Sequence, residues 1–176
     1  MDFSKRTKQC RRKPLIDVNA ATVLSVDYGR EQIFQMLPNR EPFVFLDRIT
    51  GIDLQQQAVV GRCDIPKDDP LFVGHFPGAP IYPSVLQLEM ISELFCCLYY
   101  FVDGDTTQVT ADRGPVQLRA IRMHDATFQQ PVLPGDNVTL ITKVLELMPY
   151  TYTGIGQLLS GDKVAIAVIG EFVIMD

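Results

Sequence analysis

The sequence predicts an α+β domain in which an antiparallel β-sheet wraps around one long central helix. Residues 84–102 contain no proline or glycine and are predicted to form that helix. Two segments before it and four after it are rich in Val, Ile, Leu and Phe and are bounded by turn residues, as strands are. Strands, one buried helix and then consecutive strands are typical of a sheet packed on a helix.

The chain of 176 residues fits a single domain. Residues 1–27 are predicted to be an N-terminal extension, basic at first and then mildly apolar, which is either disordered or adds a strand. Residues 28–176 are predicted to form the domain. Its first element is a short helix for which Asp27 is the expected N-cap and which Pro38 ends.

Residues 43–52 and 57–65 are predicted to pair as a hairpin. The next stretch, 66–83, contains five prolines, which neither a helix nor a sheet interior tolerates, and is therefore expected to be an ordered or functional loop. In the long helix that follows, Pro83 precedes the start and Gly104 follows the end. The helix is apolar nearly all round, so it should be enclosed. The later strands are predicted at 116–123, 137–147, 150–159 and 163–175.

The formal net charge is -5, but six of the 16 basic residues lie between Lys5 and Lys13, so the remaining body is strongly acidic. An acidic body argues against nucleic-acid binding. The basic terminus is most simply a solvated, mobile arm. No apolar segment of signal-peptide length follows it, so a cytoplasmic location is expected.

The longest apolar run, 94–102, is shorter than the roughly 20 residues that a membrane span needs, so no transmembrane segment is predicted. The four cysteines show no Cys-x-x-Cys spacing, and the chain has two histidines. Reduced, structural thiols are therefore expected, without a metal site.

Two residues are candidates for chemistry. His75 lies in the loop between Gly74 and Gly78, where glycine lets the backbone approach a ligand and Pro77 limits movement; the alternative is an ordinary surface histidine in a turn. Glu89 falls in the predicted buried helix, where an ionised carboxylate is rare and burial raises the pKa enough for a general acid.

The alternative for Glu89 is a narrow polar stripe, shared at helical spacing with Ser92, Glu93 and Cys96, that simply touches water.

Three motifs decide between these alternatives: LPNREPFVFLDR at 37–48, GHFPGAPIYPSVLQLE at 74–89 and FQQPVLPGD at 128–136. Together, and in this order, they resemble the FabZ-type 3-hydroxyacyl-[acyl carrier protein] dehydratases. The resemblance runs from about residue 31 to 173 and implies a hot-dog fold. It also implies the elimination of water from a 3-hydroxyacyl thioester to give a trans-2-enoyl thioester, in fatty acid or related acyl-chain biosynthesis.

The family's catalytic histidine falls on His75, the expected base, and its glutamate on Glu89, the expected acid. The free N–H groups at Ser84 and Val85 are expected to stabilise the thioester oxygen, and Gly78 to let the backbone approach the substrate. No metal or organic cofactor is required. The resemblance further implies an acyl carrier protein as partner, and a homodimer, or an assembly of dimers, in which His75 of one subunit meets Glu89 of the other.

The chain departs from the family at four places, which suggests a specialised relative. Ser84 stands where glycine is usual, Glu93 replaces a common glutamine and Asn39 a frequent histidine. Glu93 is expected to raise the pKa of Glu89 or to disturb the site. Gln129 and Gln130 replace residues that are typically basic.

Basic residues elsewhere must then attract an acidic carrier protein. Arg113, Arg119 and Arg122 are preferred to the arm, because a mobile arm loses entropy when it becomes ordered. Two other functions stay open: a hot-dog acyl thioesterase, which the GHFPG motif argues against, and a non-catalytic partner subunit of a dehydratase, which retention of His75 and Glu89 argues against.

Overall fold

The computed structural model describes residues 3–175, so Met1, Asp2 and Asp176, at the outer ends of the two predicted segments, lie outside it. The predicted fold class is confirmed: one seven-stranded antiparallel sheet, in the order β1-β2-β3-β5-β6-β7-β4, wraps around α4. The elements are α1 (Phe3–Gln9), β1 (Leu24–Tyr28), α2 (Arg30–Met36), β2 (Arg48–Asp53), β3 (Ala58–Asp64), α3 (Leu71–Gly74), α4 (Ser84–Asp103), β4 (Leu118–Phe128), β5 (Asn137–Leu147), β6 (Thr151–Ser160) and β7 (Lys163–Ile174).

The central helix α4 is enclosed, as its composition predicts. Eleven of its 20 residues are buried, including Phe95 and Tyr100. The concave face of the sheet makes room for it with glycine: a Cβ atom at Gly154 would lie 2.5 Å from the Phe95 ring, and one at Gly156 would collide with Ile91. By length and composition α4 could also cross a membrane, but burial within the sheet marks it as the core helix of this domain.

The start of α2 differs from the prediction. Asp27 is not the N-cap, because it lies in β1 and pairs with Arg48 at 2.9 Å. Gly29 caps the helix instead, and its N–H donates to the side-chain oxygen of Gln32 at 3.1 Å. The helix is therefore capped by the side chain of its third residue. A search for Ser, Thr, Asp or Asn at the N-cap position does not find a cap of this kind.

Strand β2 begins at Arg48, five residues later than predicted. The N–H groups of Phe45 and Leu46 donate to the Glu93 carboxylate of α4, with N–O distances of 3.1 and 2.8 Å, instead of to a neighbouring strand. The Glu93 side chain therefore accepts the backbone hydrogen bonds that a neighbouring strand would accept if β2 began earlier. Strand β4 is longer than predicted at its C-terminal end, where it continues to Phe128 along β7.

The N-terminal segment is folded onto the sheet. Helix α1 lies against β4 and β7, and β1 pairs with β2 at one edge of the sheet. Between them the side chain of Gln157, which is fully buried in β6, accepts a hydrogen bond from the N–H of Leu15 at 2.8 Å. Strand β1 spans the proposed boundary at residue 27, so the segment is continuous with the sheet.

Candidate active site

His75 lies directly after α3, in the proline-rich loop that leads into α4. Its Nδ1 atom is 2.8 Å from the carbonyl oxygen of Ile81. A carbonyl oxygen only accepts, so Nδ1 carries a proton, and in the neutral ring Nε2 is the nitrogen with the lone pair. The loop thus fixes which ring nitrogen is able to accept a proton.

Gly78 shapes the tip of the same loop. The N–H and carbonyl groups of Phe76 and Ala79 bond to each other across a tight turn, with N–O distances of 3.3 and 3.0 Å. Gly78 adopts φ of +76° inside this turn, in the left-handed region that favours glycine, and a Cβ atom there would meet nothing within 4 Å. Gly78 is therefore needed for the turn, and the space beside its Cα is open.

Glu89 lies on the second turn of α4 and is half-buried in a cleft of about 330 Å³ between α4 and β4. Burial raises the pKa of its carboxyl group, and a long hydrogen bond from the Asn39 amide, at 3.4 Å, partly opposes that rise. A raised pKa favours the protonated form of a carboxyl group, which is the form that can donate a proton as a general acid. The cleft is lined by Pro38, Asn39, Val85, Leu88, Glu89, Ser92, Glu93, Cys96, Leu118, Arg119, Ala120, Met123 and Phe172.

Glu93 lies one turn further along α4 and is 2% exposed. Burial raises the pKa of its carboxyl group to about 7; the N–H groups of Leu46 and Phe45 act in the opposite direction, and the charge of Glu89 adds to the rise. Its hydrogen bonds tie residues 45 and 46 to the helix. Glu93 therefore supports the segment that leads from the Asn39 side of the cleft into β2.

Ser84 and Val85 are the first two residues of α4, and their N–H groups have no carbonyl one turn earlier. Pro83 at the N-cap offers no side-chain acceptor, and its carbonyl oxygen is taken by the N–H groups of Leu86 and Gln87. Val85 is 70% exposed and lines the Glu89 cleft. The start of α4 thus presents two N–H donors close to that cleft.

Within one chain these residues form two separate groups. Val85 and Glu89 share the cleft, whereas His75 does not line it, and no hydrogen bond of the described residues joins His75 to Glu89. No group of three His, Cys, Asp or Glu side chains within residues 3–175 is placed to hold a metal ion.

Sequence reasoning did not identify the wall of the cleft that faces α4. Arg119, Ala120 and Met123 belong to β4, the edge strand of the sheet. These residues line the cleft because β4, the first strand after α4, lies at the edge of the sheet opposite β1. No local pattern in the sequence carries that information.

Comparison with known proteins identifies the family. The FabA-like domain family matches residues 37–167, a range that contains both His75 and Glu89. A 3-hydroxyacyl-[acyl-carrier-protein] dehydratase FabZ of Chlamydia trachomatis serovar L2 is 37% identical over 112 residues, which cover 64% of this chain and 69% of the relative. The FabZ dehydratase of Thiobacillus denitrificans is 32% identical over 129 residues, or 70% of this chain and 83% of the relative.

Solved structures agree on the fold. The dehydratase heterocomplex ApeI:P from Xenorhabdus doucetiae superposes with a TM-score of 0.62 at 11% identity, covering 82% of this chain and 91% of that one. The Escherichia coli PaaI protein from the phenylacetic acid degradation operon gives a TM-score of 0.55 at 13% identity, covering 74% and 80%. These are hot-dog folds. With a family match over most of its length and this architecture, the chain belongs to the FabA-like family.

Proposed function

We propose that the chain is a hydro-lyase that removes water from a 3-hydroxyacyl thioester to give a trans-2-enoyl thioester. The observation that carries this proposal is Glu89, a half-buried carboxyl group with a raised pKa, open to a cleft. The FabZ relatives are named for this reaction. No metal or organic cofactor is needed for the steps described below.

The reaction needs one base and one acid. Nε2 of His75 takes the proton from C2, next to the thioester carbonyl, while the Glu89 carboxyl group gives its proton to the hydroxyl on C3. The C3–O bond breaks, water leaves and the C2–C3 double bond forms. The Ile81 carbonyl keeps the proton on Nδ1, so that Nε2 is the nitrogen that accepts.

Negative charge builds on the thioester oxygen as the C2 proton leaves. The N–H groups of Ser84 and Val85, together with the positive end of the α4 dipole, are suited to stabilise it. Ser84 supplies the same N–H group as glycine would, although its side chain reduces the space for the thioester. The open side of Gly78 lets the acyl thioester pass close to the His75 loop.

We further propose that the enzyme is a homodimer, or an assembly of dimers, with a site shared between subunits. The Glu89 cleft is lined by an acid but by no histidine among the described residues. This supports a base that is supplied by a second copy of the chain. Two apolar side chains near His75, Val73 and Phe76, are 80% and 49% exposed, and the edge strand β4 exposes Ile121, which are surfaces that a partner would cover.

The natural substrate is proposed to be attached to an acyl carrier protein, as the names of the FabZ relatives state for those enzymes. A cytoplasmic location also stays a proposal. It is supported by the four cysteines, all of which are free thiols.

Purified protein should be incubated with a 3-hydroxyacyl thioester, and enoyl absorbance followed in parallel with the release of free thiol. A dehydratase produces enoyl absorbance without thiol, and hydrates the enoyl thioester in the reverse direction. Thiol release would instead support the thioesterase, and neither signal would support a non-catalytic partner subunit.

A further inference from the structure

A second and larger cleft, of about 800 Å³, lies on the outer face of the sheet between α1 and the residue that follows β4. Four basic side chains line it: Lys5, Lys8, Arg11 and Arg12. No acidic residue of the described chain forms an ion pair with Lys8, Arg11 or Arg12. This basic cleft therefore concentrates positive charge on a chain whose body is acidic.

The basic cleft is held in place by hydrogen bonds to the sheet. The buried amide of Gln157 donates to the carbonyl groups of Cys10 and Lys13 and accepts from Leu15. Nη2 of Arg11 donates to the Thr127 hydroxyl at 2.7 Å. A segment anchored in this way has already lost its conformational entropy on folding, so a ligand that binds it does not have to order it.

One arginine of the cleft keeps an unused donor. Nε of Arg11 is buried without a hydrogen-bond partner among residues 3–175. This atom is too deeply buried for a docked protein to reach, so Arg11 contributes its positive charge to the cleft and not this N–H group.

The basic cleft includes one of the positions that depart from the family pattern, Gln129. The side-chain amide of Gln129 donates to the Arg11 carbonyl at 3.0 Å and to the Val164 carbonyl at 3.3 Å. Residues 129 and 130 are where the resemblance implies basic side chains. Here glutamine at 129 holds the backbone of the N-terminal segment, and that segment brings its own arginines and lysines to the same place.

The basic cleft is connected to the His75 loop through the segment that follows Gln129. Val132, three residues after Gln129, accepts a hydrogen bond from the N–H of Tyr82 at 2.8 Å. Tyr82 directly follows Ile81, whose carbonyl orients the His75 ring. Three residues span at most about 11 Å, so Gln129 lies within that distance of a residue that contacts the segment carrying His75.

We propose that the basic cleft is a docking surface for the acidic face of the carrier protein that delivers the acyl thioester. The inference rests on the proposed function, since it names the partner of that site. It replaces the expectation that Arg113, Arg119 and Arg122 provide the docking charge. That expectation assumed a mobile arm, whereas the arm is folded.

The three arginines are also committed elsewhere. Arg113 pairs with Asp103 at 2.6 Å and lies over the Tyr100 ring, and Arg122 pairs with Glu171 at 3.4 Å. Arg119 lines the Glu89 cleft itself.

The test compares the full chain with the double variant Lys8→Gln/Arg12→Gln, and with Arg62→Glu as a control. Both variants change the net charge by -2, and Arg62 is exposed on β3, away from the basic cleft. KM is measured with a 3-hydroxyacyl group on a carrier protein and on a small thiol. Carrier binding is measured separately by fluorescence anisotropy at low and high salt.

The double variant should raise KM for the carrier-linked substrate by on the order of tenfold at low salt, with a smaller effect at high salt, and leave the small thioester unchanged. The Arg62 control should change neither. Equal effects on both substrates, no effect, or the same effect in the control would overturn the inference. So would binding of anionic vesicles or duplex DNA at the cleft without binding of carrier protein.

If the proposed function is wrong, the unaltered chain will not turn over the small thioester, a result that is distinct from any failure of the docking inference. The anisotropy experiment still decides the docking inference in that case.

Discussion

Two carboxyl groups on α4, one turn apart, differ in what surrounds them. Glu89 faces a cleft and receives one long hydrogen bond, from Asn39, whereas Glu93 is buried and holds two backbone N–H groups. The first is therefore the one that we propose exchanges a proton with a substrate, and the second supports the backbone before β2. From the sequence, Glu93 is expected to raise the pKa of Glu89, but the causes of the shift at Glu89 are burial, which raises the pKa, and the Asn39 hydrogen bond, which lowers it; the charge of Glu89 instead raises the pKa of Glu93.

Replacing either proton-transfer group should abolish most turnover. His75→Ala and Glu89→Gln are each expected to lower kcat by roughly 10² to 10⁴-fold, because general acid–base catalysis contributes about that much. Circular dichroism and thermal unfolding should be unchanged. Matched controls are His124→Ala, at the second histidine, and Glu146→Gln, at an exposed carboxylate of β5. Near-native rates in either site variant would contradict the roles assigned here.

Glu93 makes stability depend on pH. Its pKa is about 7 in the folded chain, against an ordinary value of 4.5, so between these values the folded chain keeps a proton that the unfolded chain has lost. Stability from this group is fully present below pH 4.5 and is lost as the pH rises through 7. In Glu93→Gln, whose amide oxygen can still accept from both N–H groups, this loss disappears.

The free energy of unfolding should be measured by urea titration at pH 5 and pH 8. The decrease between these pH values should be smaller in Glu93→Gln by about 2 kcal/mol. An identical decrease in both proteins would mean that Glu93 is not protonated in the folded state.

At the scale of elements, local sequence predicts best where one interaction dominates. Strand β5 is predicted at its observed bounds and α4 to within one residue, because alternation of side chains, a preceding proline and a following glycine act locally. The prediction is wrong before β2, where the distant Glu93 side chain accepts the backbone hydrogen bonds, and at α2, where Gln32, three residues after the cap, does so. The anchoring of the N-terminal segment depends on Gln157, about 140 residues away, and is likewise invisible in local sequence.

The close approach of β6 to α4 should make its glycines intolerant of even one methyl group. Gly156→Ala places a methyl against Ile91 and the Phe95 ring and should cost about 1–3 kcal/mol of unfolding free energy. Gly74→Ala is the control, because a methyl there meets nothing within 4 Å. Urea unfolding of both variants measures the difference. Equal stability would mean that the sheet can move away from the helix at little cost.

At the scale of the whole molecule, the proposed base and the proposed acid lie in separate places within one chain. Glu89 and the start of α4 open to one cleft, and His75 lies on a loop that does not line it. The resemblance to the FabZ-type dehydratases implies a site shared between two subunits, whereas the spacing of the motifs along the chain alone does not show which copy of a residue completes the site. A homodimer accounts for it, and sedimentation equilibrium at micromolar concentration should give twice the mass of one chain.

Mixing the two inactive variants tests the shared dehydratase site most directly. His75→Ala and Glu89→Gln protein are combined under conditions that exchange subunits, and enoyl absorbance is followed. Random exchange makes half of the dimers mixed, and each mixed dimer has one intact site of two, so about a quarter of wild-type activity should return. If mixed dimers form, as native mass spectrometry can establish, and the activity stays at the level of the separate variants, the shared site does not exist.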